Sequence, residues 1–229
     1  MIELHAFDDP IVQAKALARD VGEALQARLG QGAAHSHATF AVSGGSSPRR
    51  FLSVLSGQPF DWSRIDLTLV DDRWVPDDDK DSNVRFVREN LLQNAAAQAR
   101  FMPLVDVTRD PADQIARLNA SLEPALPDVA VLGMGEDGHT ASIFADAPEW
   151  REAITTEQRF VLVHPRAAPH ARVSWSMSAL KRIDRLFLLI AGKSKLDILE
   201  KAAASPLDNA ISKLANDKGV TLDVYWSAE

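Results

Sequence analysis

Short, largely apolar runs alternate along this chain with longer segments in which apolar residues return every three or four positions. Residues 39–42, 65–70, 129–132 and 186–191 are the clearest runs, apolar throughout except at Thr39, Asp66 and Thr68. Strands covered on both faces read in this way. Residues 2–7, 160–163, 172–175 and 220–226 predict further extended segments. Val12, Ala16, Leu17, Val21 and Leu25 lie at helical spacing, so residues 11–29 predict an amphipathic helix capped by Asp9 and ending near Gly30. Pro48 stands where a first helical residue would be, with Ser47 as its cap, and Phe51, Leu52 and Leu55 continue that helix. Ser82 opens a helix carrying Val84, Val87, Leu91 and Leu92; residues 110–122 predict another, and a further one runs from Lys195 to about Ala204. Strands and helices alternating in this order predict an α/β fold: a doubly wound, mostly parallel sheet with helices on both faces. No repeat, low-complexity tract or linker divides the chain, so residues 1–229 read as one domain.

The chemistry is concentrated in the turns that follow the strands. After residues 129–132 the sequence breaks into Gly133-Met134-Gly135-Glu136-Asp137-Gly138, and His139 opens a segment that reads as helical. A strand, a tight turn and a helix start leave backbone N–H groups pointing one way with a positive helix end behind them, which suits an anionic or polarised ligand. Asp137 is spaced to orient the His139 imidazole, and an imidazole's ordinary pKa of about 6.5 suits a general base near neutral pH. An ordinary turn with Asp137 as a helix cap accounts for the same letters. Three other turns carry complementary groups: Ser43, Gly44, Gly45 and Ser46 offer N–H groups and hydroxyls, Asp71 and Arg73 a carboxylate and a guanidinium, and Gly192-Lys193-Ser194-Lys195 two ammonium groups. In an open parallel sheet such turns gather beyond the carboxyl ends of the strands. Together with Arg172 they would make a cradle for a phosphate monoester beside a group able to activate water. The acidic loop 77–81 reads as solvated, one of the two lysines as surface, and His164 and His170 as structural or solvated.

Composition narrows the partners. With 25 Lys and Arg against 32 Asp and Glu the formal net charge is -7, which argues against nucleic acid or an acidic membrane as the main partner. A small anion needs only a few placed cations. There is no cysteine, which excludes disulfides, thiolate metal sites and thiol nucleophiles. The first ten residues lack the pattern of a signal peptide and no apolar run nears the roughly 20 residues of a membrane span, so a cytoplasmic protein is expected.

Several motifs, in one order, resemble a known family. SGGSSP at residues 43–48, DDRWVP at 71–76, DSN at 81–83, GMGEDGHTASIF at 133–144, Arg172 and GKSK at 192–195 are similar to those of the 6-phosphogluconolactonase family. The resemblance implies a modified Rossmann-like fold similar to that of glucosamine-6-phosphate deaminases. It also implies hydrolysis of 6-phospho-D-glucono-1,5-lactone to 6-phosphogluconate, the second step of the oxidative pentose phosphate pathway. By motif, His139 would activate water with Asp137 beside it. Ser43, Gly44, Gly45 and Ser46 would cradle the phosphate with Arg172 and Lys195. Asp71 and Arg73 would line the sugar. The family needs no metal or organic cofactor, and the expected partner is a small phosphosugar lactone, met by a monomer or weak homo-oligomer. Two departures stand out: Asp72 replaces the family's usual glutamate, predicting a weaker contact, and Ala145-Asp146 replaces a frequent Pro-Gly.

Two rivals share the scaffold. In the deaminase branch a glutamate five residues after the histidine assists ring opening, whereas this chain has Phe144, which cannot carry a proton. A non-enzymatic sugar-phosphate sensor would keep Arg172 and Lys195 without needing His139, and no DNA-binding segment accompanies them here.

Overall fold

The computed structural model describes residues 1–32, 36–45 and 47–228. Seven strands make the main sheet: β1 (Ile2–Phe7), β2 (Ala38–Val42), β3 (Ile65–Leu69), β5 (Arg100–Met102), β6 (Val129–Leu132), β9 (Arg185–Ala191) and β10 (Leu222–Ser227). They lie in the order β1-β10-β9-β6-β2-β3-β5, and every pairing is parallel. All residues of β2, β3 and β6 are buried, the polar Thr39, Asp66 and Thr68 among them, so both faces of the central strands are covered, as expected. The helices are α1 (Pro10–Gln31), α2 (Arg49–Ser56), α3 (Asn83–Asn90), α4 (Pro111–Ala120), α5 (Trp150–Thr155), α6 (Met177–Leu180), α7 (Lys193–Ala204) and α8 (Ala210–Ala215).

Local chemistry explains most of the boundaries. The side chains of Asp9, Ser82 and Asp110 accept backbone N–H groups at the starts of α1, α3 and α4. Two expectations change. Helix α1 runs through Gly30 to Gln31, because a helical glycine on an open face costs only about 1 kcal/mol and the helix has a long buried side to offset it. Pro48 is itself the residue flanking α2, with helical backbone angles and no side-chain cap, so Ser47 does not cap that helix.

A second, three-stranded antiparallel sheet stands outside the doubly wound scheme. It joins β4 (Asp71–Arg73), β8 (Arg172–Trp175) and β7 (Phe160–Val163), in the order β4-β8-β7. Its β4 leaves the end of β3 after one residue, so this small sheet rises at the carboxyl edge of the large one. The chain turns one way from β2 to its neighbour β3 and the other way from β6 to its neighbour β9, while β2 and β6 are themselves adjacent. The strand order therefore reverses between β2 and β6, and the turns after those two strands open a crevice there.

Candidate active site

Both walls of that crevice are turns that leave the sheet without a helix immediately behind them. The Ser43 hydroxyl accepts the Gly133 N–H at 3.2 Å and the Ser43 N–H donates to the Val131 carbonyl at 3.1 Å, tying the two turns across the switch point. Thr140 Oγ1 donates to the Gly133 carbonyl at 2.8 Å, and the Ser142 N–H donates to Ser174 Oγ at 3.1 Å. These side-chain bonds take the backbone groups that a helix would use, and residues 139–144 are irregular, with Ala141 at φ 49. The helix expected at His139 does not form; the next one, α5, begins at Trp150. An anion in this cleft is therefore met by side chains and turn N–H groups, with no helix dipole behind His139.

The pair of Asp137 and His139 is in place. Asp137 Oδ1 lies 2.6 Å from His139 Nδ1 and accepts the His139 N–H at 3.2 Å. A carboxylate only accepts, so Nδ1 carries the hydrogen and Nε2 keeps its lone pair. Partial burial pushes the Asp137 carboxyl upward, but the bonds from His139 outweigh it and hold it below the ordinary carboxylate range. The imidazole side chain is 27% exposed, enough for water to reach it. Gly135 lies against this ring: a Cβ there would collide with His139 Cε1 and Nδ1, so only glycine lets the turn close around the imidazole.

Opposite stand the arginines. The register of β4 and β8 sets Arg73 directly across from Arg172, so their side chains leave one face of the small sheet as neighbours. Like charges so placed repel, and neither Nε has a hydrogen-bond partner among the described residues. Arg73 Nη1 donates to the Asp81 carbonyl at 2.7 Å, and Arg172 Nη2 donates to the Pro169 carbonyl at 3.4 Å. Burial lowers the Arg172 pKa, the Asp71 charge opposes this and Arg73 adds to it. Two under-satisfied guanidiniums side by side form a site that an anion would stabilise.

Asp71 is buried and accepts from Ser142 Oγ, which leaves its other oxygen for the cleft. Asn83 locks the same corner, donating from Nδ2 to the Asp71 carbonyl at 2.8 Å. Its amide also fills the space where a side chain at Gly44 would go, so Gly44 brings the loop backbone into close contact with α3. Sequence reasoning gave Asn83 no role. The DSN motif held the signal, but an amide's partners come from the fold.

The four expected turns converge on one cleft of about 230 Å³, lined by Ser43, Gly44, Gly45, Asp71, Arg73, His139, Arg172 and Lys195, with Asn83 among the others. Ser46 lies outside the described residues. The two lysines separate: Lys195 lines the cleft, whereas Lys193 is 81% exposed and paired with Asp197 at 2.7 Å. His164 and His170 pair with Glu149 and Asp81 and remain partly exposed, in keeping with structural or solvated roles. Glu3, His5 and Asp223 also come together, at the opposite end of the sheet, where Asp223 is already bonded to Arg185 at 3.2 Å. Among the described residues no helix is long and apolar enough to cross a membrane.

Asp72, one residue from the cleft, is only 1% exposed, and its Oδ1 accepts the N–H groups of Arg73 and Asn83, each at 2.8 Å. The short side chain thus reaches both the start of α3 and β4. Burial pushes its pKa up to about 7. An unfolded Asp titrates near 3.9, so between about pH 4 and pH 7 the folded chain holds a proton that the unfolded chain has lost. Stability contributed by Asp72 falls as pH rises through this window and levels off above it. Asp72→Asn, which keeps an acceptor and cannot titrate, is expected to flatten the profile of melting temperature against pH from 4.5 to 8; an unchanged slope would locate the titration elsewhere.

Fold and cleft together define a doubly wound α/β protein with an Asp–His pair and two facing arginines at the sheet's switch point. The chain belongs to the family of glucosamine-6-phosphate isomerases and 6-phosphogluconolactonases, whose model matches residues 12–221. It is 39% identical over 230 residues to a 6-phosphogluconolactonase of Rhizobium meliloti, covering 98% of each chain. The solved structure of a 6-phosphogluconolactonase from Shewanella baltica superposes with a TM-score of 0.90 at 35% identity, covering 100% of this chain and 98% of that one. A monomeric glucosamine-6-phosphate deaminase shares the fold, with a TM-score of 0.77 at 15% identity, covering 97% of this chain and 96% of that one.

Proposed function

We propose that this chain hydrolyses 6-phospho-D-glucono-1,5-lactone to 6-phospho-D-gluconate, the second step of the oxidative pentose phosphate pathway. The observation that carries the reading is the meeting of the Asp137–His139 pair with Arg73, Arg172 and Lys195 in one cleft. A lactone carbonyl is already electrophilic, so its hydrolysis needs a placed water, a base and a partner for the oxyanion. His139 Nε2 takes a proton from water as the oxygen attacks C1 of the lactone. The tetrahedral intermediate then collapses, the bond from C1 to the ring oxygen breaks, and the imidazolium returns its proton to that oxygen as it becomes a hydroxyl. Asp137 keeps the imidazole in the required tautomer and stabilises the imidazolium.

The 6-phosphate, remote from C1, meets Arg172, Lys195 and the turn of Ser43, Gly44 and Gly45, and its binding energy fixes the pose. Ser46 belongs to the same proposed cradle by motif. Asp71 accepts a sugar hydroxyl, and Arg73 partners the oxyanion or the ring oxygen. The scheme calls on no metal or organic cofactor. A cytoplasmic enzyme, working as a monomer or weak homo-oligomer without nucleic acid or membrane as partner, completes the proposal, in keeping with the net charge of -7.

The test is a coupled assay on freshly prepared 6-phosphogluconolactone, in which 6-phosphogluconate is consumed by an NADP-linked dehydrogenase and spontaneous ring opening is subtracted. The rate is expected to rise in proportion to added protein. No acceleration over the blank would sink the proposal.

A further inference from the structure

One buried ring touches both chemical ends of the cleft. The Phe144 ring is stacked on His139, with centroids 3.9 Å apart and planes inclined by 25°. The Arg172 guanidinium carbon lies 5.1 Å from the centroid of the same ring. Phe144 is 2% exposed, so its position is set by packing. The chain also pins it on two sides. Thr140 is bonded to Gly133, at the exit of β6, and Ser142 to Ser174 on β8, two residues beyond Arg172 and on the same face of that strand. The segment carrying Phe144 is thereby stretched between the turn that holds the base and the strand that holds the guanidinium.

We propose that Phe144 is a positioning residue whose ring sets the spacing between the His139 imidazole and the Arg172 guanidinium, and so matches the cleft to the distance between the reacting carbon and the anionic end of its substrate. This rests on the function proposed above. The π face of the ring attracts cations, so it holds the guanidinium at all times and the imidazolium once His139 has taken its proton. An apolar residue without a flat face would fill the volume and leave both groups free to turn. Because the ring contacts the two ends together, its loss is felt in substrate binding and in turnover at once. Loss of a residue that merely supports the fold would instead lower the amount of active protein, reducing apparent kcat without moving KM.

The experiment pairs kinetics with a spectroscopic signature. Phe144→Met removes the ring while roughly keeping its volume. It is expected to lower kcat/KM by about 10- to 100-fold, the effect of misplacing groups by an ångström or less, with KM raised and kcat lowered together. Phe144→Tyr, which keeps the ring, is expected to retain most of the activity. In proton NMR of the wild-type chain, imidazole resonances assigned by their absence in His139→Gln should lie upfield of their unfolded positions and move downfield in Phe144→Met. A folded Phe144→Met chain with wild-type kcat and KM, or with kcat lowered at unchanged KM, would overturn the proposal. So would unshifted imidazole resonances in the wild-type chain, a result that needs neither a folded Phe144 variant nor the lactone. A wild-type chain inactive on the lactone but with shifted resonances would instead bring down the functional reading and leave the ring contact standing.

Discussion

Lactone turnover in His139→Gln is expected to fall at least about 100-fold, the lower end of what a placed general base contributes, or about 3 kcal/mol of transition-state stabilisation. The loss should appear in kcat. His139 meets the reacting end of the substrate, and a glutamine of similar reach can still hydrogen-bond a water there without taking its proton. Binding of 6-phosphogluconate, followed by calorimetry, should stay near the wild-type value, because the groups proposed to hold the phosphate are untouched. The Asp137 carboxylate loses its partner in this variant, and as that side chain is about half exposed, solvent can replace the lost bond at little cost to stability. The lactone also opens on its own, so the measurable loss is bounded by the uncatalysed rate and the assay needs enough of the variant protein to stay above it. Turnover within a few-fold of wild type in a folded His139→Gln chain would remove the imidazole from the mechanism.

Arg172→Ala should act on the other end. Hydrogen bonds to charged groups contribute about 1.5–3 kcal/mol, so KM for the phosphorylated lactone is expected to rise by roughly 10- to 150-fold. The unphosphorylated glucono-1,5-lactone has nothing for this guanidinium to hold, and its kcat/KM should change by less than about threefold. Some loss of kcat on the phosphorylated substrate is expected as well, since the remote phosphate helps to hold C1 against the water. A second consequence separates this reading from a structural one. Arg172 is buried and lies across from Arg73, and neither Nε has a partner among the described residues. Removing the guanidinium ends its repulsion with Arg73 and its burial cost along with the attraction of Asp71, so the variant's melting temperature without ligand should fall less than it would for a buried ion-pair partner. Arg172→Lys keeps the charge but loses the planar fork, and should lie between the wild type and Arg172→Ala. Equal effects on the two lactones would dismiss the phosphate assignment.

How much of this was legible along the chain depends on how local its cause is. The main strands could be read because parallel strands covered on both faces are largely apolar runs, and β2, β6 and β9 have that form, while β3 is marked by its apolar Ile65, Leu67 and Leu69 although Asp66 and Thr68 lie between them. The cap at Asp9 and the helix starts at Ser82 and Asp110 could be read because the side chain that opens a helix acts on backbone two or three residues away. The pair of Asp137 and His139 has the same quality, since its 2.6 Å contact is made within one turn. The motifs named the corners of the cleft for the same reason. They did not say how those corners meet.

The helix expected at His139 failed because Thr140 and Ser142 found partners at Gly133, Asp71 and Ser174, and two of these three lie far away in the sequence. The three-stranded sheet was invisible because β4 pairs with β8 across about a hundred residues, and neither strand's own pattern names the other. The chain by itself determined the alternation of strands and helices, the family motifs and the chemical types that line the cleft, since each follows from neighbours in sequence. Only the tertiary structure decided that Arg73 faces Arg172, that Lys195 and not Lys193 reaches the cleft, and that one phenylalanine ring joins base to guanidinium. Register, helix facing and ring stacking depend on which distant backbones pack together, and that is settled by burying the whole core at once.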